Sequence, residues 1–235
     1  MSGFMDFTFG SGDNNIGQKS KRFKAREGET YRVSFVSFQA KDDGTPDLEG
    51  GPQFKGCERI YKEGIGYVLA SSPEVVRLLG SPPKQTVATV ICVWPTDKKG
   101  NLDKASFARG EGWEVMPWVF SADRYTVLQT RHEEFPLPSH DLKLVCTDTQ
   151  YQKMDISPLK NSLFRTLLES DKEALKDMAK AIFDKASAVH ETLENEMARS
   201  LTLDEIREKL GGSPSSPVDD AAVADVDGML DNLLD

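Results

Sequence analysis

KQTVATVICVW, residues 84–94, is the stretch on which the fold turns. β-Branched residues crowd it and Pro83 and Pro95 bound it, which predicts the central strand of a sheet. On its N-terminal side, Ser72-Pro73 opens a short helix, EVVRLLG, with proline in the first turn and Gly80 at its end. Before that helix, short strands are predicted at 56–62 and 65–70, broken by Gly64 and Gly66. KDDGTPDLEGGP (41–52) reads as a long turn-rich loop, and ETYRVSFVSF (29–38) alternates with a period of two as a first strand. On the C-terminal side, TDKKGNLDK (96–104) is a loop with Lys98 and Lys99 at its tip. GWEVMPWVF (112–120) is another strand, Ser121 is placed to cap a helix over 122–130, and DLKLVCTD (141–148) is a final strand. About five short strands with interspersed helix predict a small barrel, mostly β with added α.

From Ser157-Pro158 the period changes. Leu175, Met178, Ala179, Ile182, Phe183, Ala186, Val189, Leu193 and Met197 recur at steps of three and four, one apolar stripe on a long helix. Thr202 and Glu205 have capping-box spacing, so 157–210 reads as a helical segment. GGSPSSP (211–217) is a linker. The acidic end carries Val223, Val226, Leu230, Leu233 and Leu234 at helix-like spacing but too little apolar surface to fold alone, so it is expected to be disordered until bound. Residues 1–26 read as a flexible arm, rich at first in Gly, Ser, Asn and Asp. Phe4, Phe7 and Phe9 within it suit either a tuck onto the chain's own core or a sticky end for a neighbouring molecule.

The chain has 235 residues, 38% of them hydrophobic and 29% charged, which suits one core with appendages. No run approaches the roughly 18 apolar residues of a membrane span, and Met1 to Gly10 lack the order of a secretory signal. Cys57, Cys92 and Cys146 cannot all pair and no CxxC occurs. The expectation is therefore a reducing cytoplasm, no disulfide scaffold, no zinc and no other cofactor. The net charge of −9 is unevenly spread: residues 1–160 balance at 21 basic and 21 acidic, whereas 211–235 hold six Asp and no Lys or Arg. Lys19, Lys21, Arg22, Lys24, Arg26 and Arg32 form a basic knot near the other end.

Single-stranded nucleic acid needs cations along a groove for its phosphates and flat rings for its unpaired bases. The chain interleaves the two: Phe54 with Lys55, Arg59 with Tyr61, Trp94 before Lys98 and Lys99, Trp118 and Phe120 before Arg124 and Tyr125, and Tyr151 with Lys153. Aromatic residues in short strands more often belong to a core, so the recurrence of the pairing carries the argument rather than any one pair. The terminal aspartates resemble a row of phosphates, able to lie in a basic groove when DNA is absent, while the spaced leucines offer a handle to other proteins. A purely solubilising tail is the alternative. Asp97, Asp103, Glu111 and Glu114 can be read as nuclease carboxylates, but they lie in Lys-rich surface segments and no catalytic motif accompanies them, so the chain is not expected to be an enzyme. The other rival is an interaction or transcription-regulatory barrel whose acidic tail mimics DNA or recruits polymerase.

The order of parts resembles the helix-destabilising, single-stranded-DNA-binding proteins of the T-even phage type. VATVICVWPTDKKGNLDKASF followed by WEVMPWVFSADRYTVL is similar to that family's central barrel strands and the helix after them. DVDGMLDNLLD is similar to its acidic terminus, and Lys19-Ser20-Lys21-Arg22 to its short basic motif for cooperative docking. The resemblance implies an oligonucleotide-binding (OB-fold) barrel over 27–156 and sequence-independent binding of single strands. It further implies cooperativity between neighbouring copies through Lys19, Ser20, Lys21 and Arg22, and a place in phage DNA replication, recombination and repair in the host cytoplasm. It makes Asp225, Asp227, Leu230, Asp231, Leu233, Leu234 and Asp235 contacts to proteins of those processes. With the pairs above, it gives Lys21, Arg22, Lys24, Phe54, Lys55, Arg59, Tyr61, Trp94, Lys98, Lys99, Trp118, Arg124 and Tyr125 as the DNA-contacting set. Where well-known members insert a zinc-binding Cys/His cluster, residues 57–84 hold only Cys57, so that wall of the cleft is expected to be reduced.

Overall fold

The computed structural model describes residues 22–97, 99–147 and 153–211. Seven strands form one antiparallel sheet: β1 (Thr30–Phe35), β2 (Lys55–Lys62), β3 (Gly66–Leu69), β4 (Lys84–Trp94), β5 (Glu114–Ser121), β6 (Leu142–Cys146) and β7 (Met154–Pro158). Their order is β3-β2-β4-β1-β6-β7, with β5 on the other edge of β4. The long central strand explains this pattern. β5 runs along it from Thr86 to Val93, while β2 takes Lys84 to Ala88 and β1 takes Ile91 to Trp94 on the opposite edge. The sheet therefore forks at the middle of β4.

The expected closed barrel is not what forms. The outer edges of β3 and β5 are capped by irregular chain instead. Arg199 bridges to Val68 on β3, with its N–H donating to the Tyr67 carbonyl at 2.9 Å and its own carbonyl accepting from Leu69 N–H at 2.9 Å. On β5, the Phe23 N–H donates to the Pro117 carbonyl at 2.9 Å. Such capping satisfies an edge without closure. It also shortens the expected arm, because Phe23 and Ala25 are buried and residues 22–26 lie on the sheet.

The helices are α1 (Pro73–Leu79), α2 (Lys104–Ala108), α3 (Ala122–Glu134), α4 (Leu163–Leu168), α5 (Glu173–Glu191), α6 (Leu193–Met197) and α7 (Leu203–Lys209). Ser72 caps α1 by accepting from Val75 N–H, and Gly80 ends it in the left-handed region at φ 68°. The Thr202–Glu205 capping box forms as its spacing predicts. The expected helix start at 157–158 moves: MDISP is β7, paired with β6 through Ile156 opposite Leu144, and α4 begins after the Ser162 cap. The stripe on α5 buries Ala179, Ile182, Phe183 and Ala186, and the helix packs on β4 and β5. Among the described residues no helix is long and apolar enough to cross a membrane.

Among the described residues there are two hydrophobic cores. The larger spans β1, β4, β5, β6 and the helices α3 to α6. The smaller joins the β2–β3 hairpin to α1 and α7 through Ile60, Ile65, Val68, Val75, Leu79 and Ile206. This second cluster holds up the region from which a reduced wall was expected. Between β1, β6 and α4 lies a buried charge. The Asp141 carboxylate accepts from Arg32 Nε at 2.6 Å, from the Ser34 hydroxyl, and from Leu163 N–H at 3.1 and 3.2 Å. Ser34 also accepts from Trp94 Nε1 at 2.7 Å.

His190, near the end of α5, has a pH consequence. Its Nδ1 lies 2.7 Å from the Ser37 hydroxyl, and burial together with Lys55 holds its pKa down to about 4. Unfolding releases the imidazole to about its ordinary value of 6.5. Stability from this group is therefore complete above pH 6.5 and is lost as pH falls from there towards 4. The expected loss between pH 7 and pH 5 is at most about 2 kcal/mol. Urea unfolding at both pH values should show a smaller pH effect for His190→Gln than for wild type. Equal pH effects would mean that the ring is not held neutral.

Candidate nucleic-acid interface

The structure separates the aromatic residues from the cations with which the sequence interleaves them. Phe54, Trp94, Trp118 and Tyr125, four of the rings expected to stack on bases, are buried. Phe54 packs edge-on to Tyr125 at 5.2 Å, Trp118 lies 4.8 Å from Phe120, and Trp94 packs on Phe107 at 5.7 Å. Burial pushes the Tyr125 hydroxyl up to about 12. These rings are core: β4 and β5, which carry Trp94 and Trp118, bury both faces along their middles, and Phe54 and Tyr125 pack against each other in the same cluster. Two expected phosphate contacts are tied up as well. Lys55 pairs with Glu194 at 3.4 Å and Arg22 with Glu196 at 2.9 Å, so α6 neutralises both.

The cations that remain outside lie in different places. Lys24 is exposed between Phe23 and Ala25, and Arg124 is half-buried in the first turn of α3. Lys99 is exposed on a loop shaped by Asp97, whose carboxylate accepts from Lys99 N–H and Asn101 N–H, each at 2.8 Å. That loop follows the far end of β4, about 33 Å from Lys84 at strand spacing. Lys19, Ser20, Lys21, Lys98, Tyr151 and the tail residues lie outside the described residues.

Arg59 and Tyr61 are brought to one open site, and the structure adds two partners to them. Tyr61 stands directly opposite Tyr67 across the β2–β3 hairpin, and Arg59 stands opposite Lys84 across β2–β4. Directly paired residues share a face, and residues two apart on a strand do too. Arg59, Tyr61, Tyr67, Lys84 and Thr86 therefore lie on one side of the sheet. The other side of the hairpin points Ile60 and Val68 into the smaller core. Tyr61 is 59% and Tyr67 43% exposed, and their ring centroids are 5.2 Å apart. The Arg59 guanidinium lies 3.8 Å over the Tyr67 ring and donates to the Met197 carbonyl at 2.7 Å. Burial lowers its pKa, but a guanidinium in such a site stays charged. Ser81, Gln85, Phe120 and Ser121 complete a cavity of about 560 Å³.

Neither a protein-family model, nor a curated protein, nor a solved structure matches this chain.

The site thus rests on its geometry: two exposed rings, a fixed cation beneath one of them and an exposed lysine beside them. Tyr67 and Lys84 were missed in the sequence, although the signal for Tyr67 was there. A hairpin that pairs Lys62 with Gly66 puts residue 61 opposite residue 67, so two tyrosines meet by counting alone. Lys84 was legible only as the first residue of a strand. A second cavity of about 620 Å³ lies away from this face, between the 41–51 loop and α4, with Lys41, His132 and Arg165 on its walls. Arg165 there is held by Glu169 at 2.6 Å and by Ser139 at 2.7 Å.

Proposed function

We propose that the chain binds single-stranded DNA without regard to sequence, with the outer face of the β2–β3 hairpin as its contact. The observation that carries this reading is the exposed Tyr61–Tyr67 pair beside Arg59 and Lys84 on an open cavity. Each ring can take an unpaired base on its free surface, and bases in a duplex are not available for that. Arg59 sits against Tyr67 and is anchored by the Met197 carbonyl, so the ring is braced from one side. The sheet serves here as an open counterpart of the oligonucleotide-binding barrel, with the hairpin and its small apolar core as the raised wall of the groove.

In this reading the chain acts as a phage helix-destabilising protein that protects and organises single strands in replication, recombination and repair. Its N-terminal basic motif links neighbouring copies, and its acidic terminus both competes with DNA and recruits proteins of those processes. Fluorescence anisotropy of labelled oligothymidylate, with a duplex of the same length as control, tests the reading. Single-strand affinity should fall steeply with salt, by about 0.7 in log K per log unit of salt for each phosphate contacted. Duplex binding as tight as single-strand binding, or a flat salt response, would contradict it. Deleting 212–235 removes the competing aspartates and should strengthen binding at low salt; unchanged or weaker binding would remove competition from the account.

A further inference from the structure

Helix α6 covers the row of β2 residues that leads into the tyrosine face. Lys55, Cys57, Arg59 and Tyr61 are spaced two apart, so they share one side of the strand. α6 follows that row. Glu194 pairs with Lys55 at 3.4 Å, Met197 Sδ lies 3.9 Å from Cys57 Sγ, and the Met197 carbonyl accepts from Arg59 at 2.7 Å. Glu196 accepts from Arg22 Nε at 2.9 Å. Arg22 belongs to the same group of cations: burial first, and Arg22 among the neighbouring charges, lower the Arg59 pKa. α6 thus holds three cations, two through carboxylates and one through its last carbonyl. The holds differ in kind. Arg59 is anchored by a neutral group and keeps its charge, whereas Lys55 and Arg22 are neutralised. The helix itself is fixed, because Leu193 and Met197 at its two ends are fully buried. Its ion pairs are not sealed in: the four side chains keep between 14% and 35% of their surface. Ion pairs that reach solvent are weak ties, and a phosphate is a strong competing acceptor for arginine and lysine.

We propose that α6 is an autoinhibitory guard on the DNA-contacting face. In the free chain Glu194 and Glu196 hold Lys55 and Arg22 in reserve. A strand already stacked on Tyr61 and Tyr67 takes these two cations over with its next phosphates, and the carboxylates turn to solvent. The guard presupposes the single-strand reading of the hairpin and gives it a direction and a threshold. The bound strand runs from the tyrosines along β2 towards Lys55, and a strand too short to reach α6 gains nothing from the two cations.

The test is a double-mutant cycle on the full-length chain, read by anisotropy of long oligothymidylate at low salt, with circular dichroism to show that each variant is folded. Glu194→Gln with Glu196→Gln keeps the shape of α6 and removes both charges. It should tighten binding about fivefold. The same pair of changes should bring a clearly smaller gain where Lys55→Gln and Arg22→Gln have already removed the guarded cations. In the isotope-labelled wild type, the Arg22 Nε–Hε resonance should move on saturation with long oligothymidylate and stay still with a thymidine trinucleotide. Equal gains in the two backgrounds would mean that the carboxylates act only by repulsion, and would overturn the guard. So would an Arg22 resonance that the long strand leaves in place. If oligothymidylate binds and Tyr61→Ala weakens it while the gains are equal, the guard falls and the single-strand reading stands. If neither wild type nor the Glu194→Gln, Glu196→Gln chain binds oligothymidylate, the single-strand reading falls and takes the guard with it.

Discussion

Replacing Tyr61 and Tyr67 together by alanine is expected to lower affinity for oligothymidylate at least about thirtyfold. Each base stacked on an aromatic ring contributes about 1–3 kcal/mol by alanine substitution, so two such contacts amount to about 2 kcal/mol or more. The fold should tolerate the change. Both rings are largely outside, the hairpin is held from its other side by Ile60, Val68 and their partners, and Arg59 keeps its bond to the Met197 carbonyl. Circular dichroism and a thermal melt establish that the double variant is folded, and anisotropy at one salt concentration gives the affinity. The lost free energy is in stacking, so the salt slope should stay as it was while the intercept drops. A folded double variant with wild-type affinity would rule out the hairpin as the contact for bases. Tryptophan fluorescence is a poorer reporter, because Trp94 and Trp118 are core residues and a bound base does not reach them.

Asp141→Ala is expected to cost about 3–5 kcal/mol of folding stability. Its carboxylate is fully buried, and removing it leaves the Arg32 guanidinium, which is mostly buried, without its counter-ion. The Ser34 hydroxyl and the Leu163 N–H lose their acceptor in the same step. The loss comes from stranded polar groups more than from the ion pair as such. Replacing both partners, with Arg32→Met and Asp141→Leu, should therefore be milder than Asp141→Ala alone. Urea unfolding of wild type, single and double variants decides this. A double variant as unstable as the single one would place the contribution in packing rather than in the charge. Trp94 donates to Ser34, so the near-ultraviolet signal of that ring should change in the single variant.

The sequence was a good guide to strands and a poor guide to their outsides. KQTVATVICVW is β4 to the residue, and the capping box and the Gly80 stop stand where their patterns put them; the apolar stripe holds along α5, but the one long helix expected through Met197 breaks at Thr192 and leaves Leu193 and Met197 on α6. Local rules govern these features, because caps and periodicity act within a few residues. MDISP was lost because it lacks β-branched density, and its pairing with β6 comes from a distant partner. The aromatic residues misled for a related reason. Alternation separates two faces of a strand, but it does not say whether helices cover one face or both. Trp118 and Phe54 look like platforms only until α3, α5 and α6 are laid on the sheet. The tyrosines escaped because the hairpin reaches beyond that cover. The pairing of Lys55 with Glu194 and of Arg22 with Glu196 spans well over a hundred residues, and no local pattern announces it.

Helix α7 docks beneath the hairpin through Ile206, and the chain continues from it at Gly211. Whatever follows is thus leashed about 10 Å, one short helix, from the hairpin proposed to contact DNA. For a terminus that vies with DNA, such a leash sets a local concentration in the millimolar range, independent of how dilute the protein is. Dilution would not relieve that rivalry, and the same aspartate-rich peptide added as a separate molecule would have to reach comparable concentrations to imitate it.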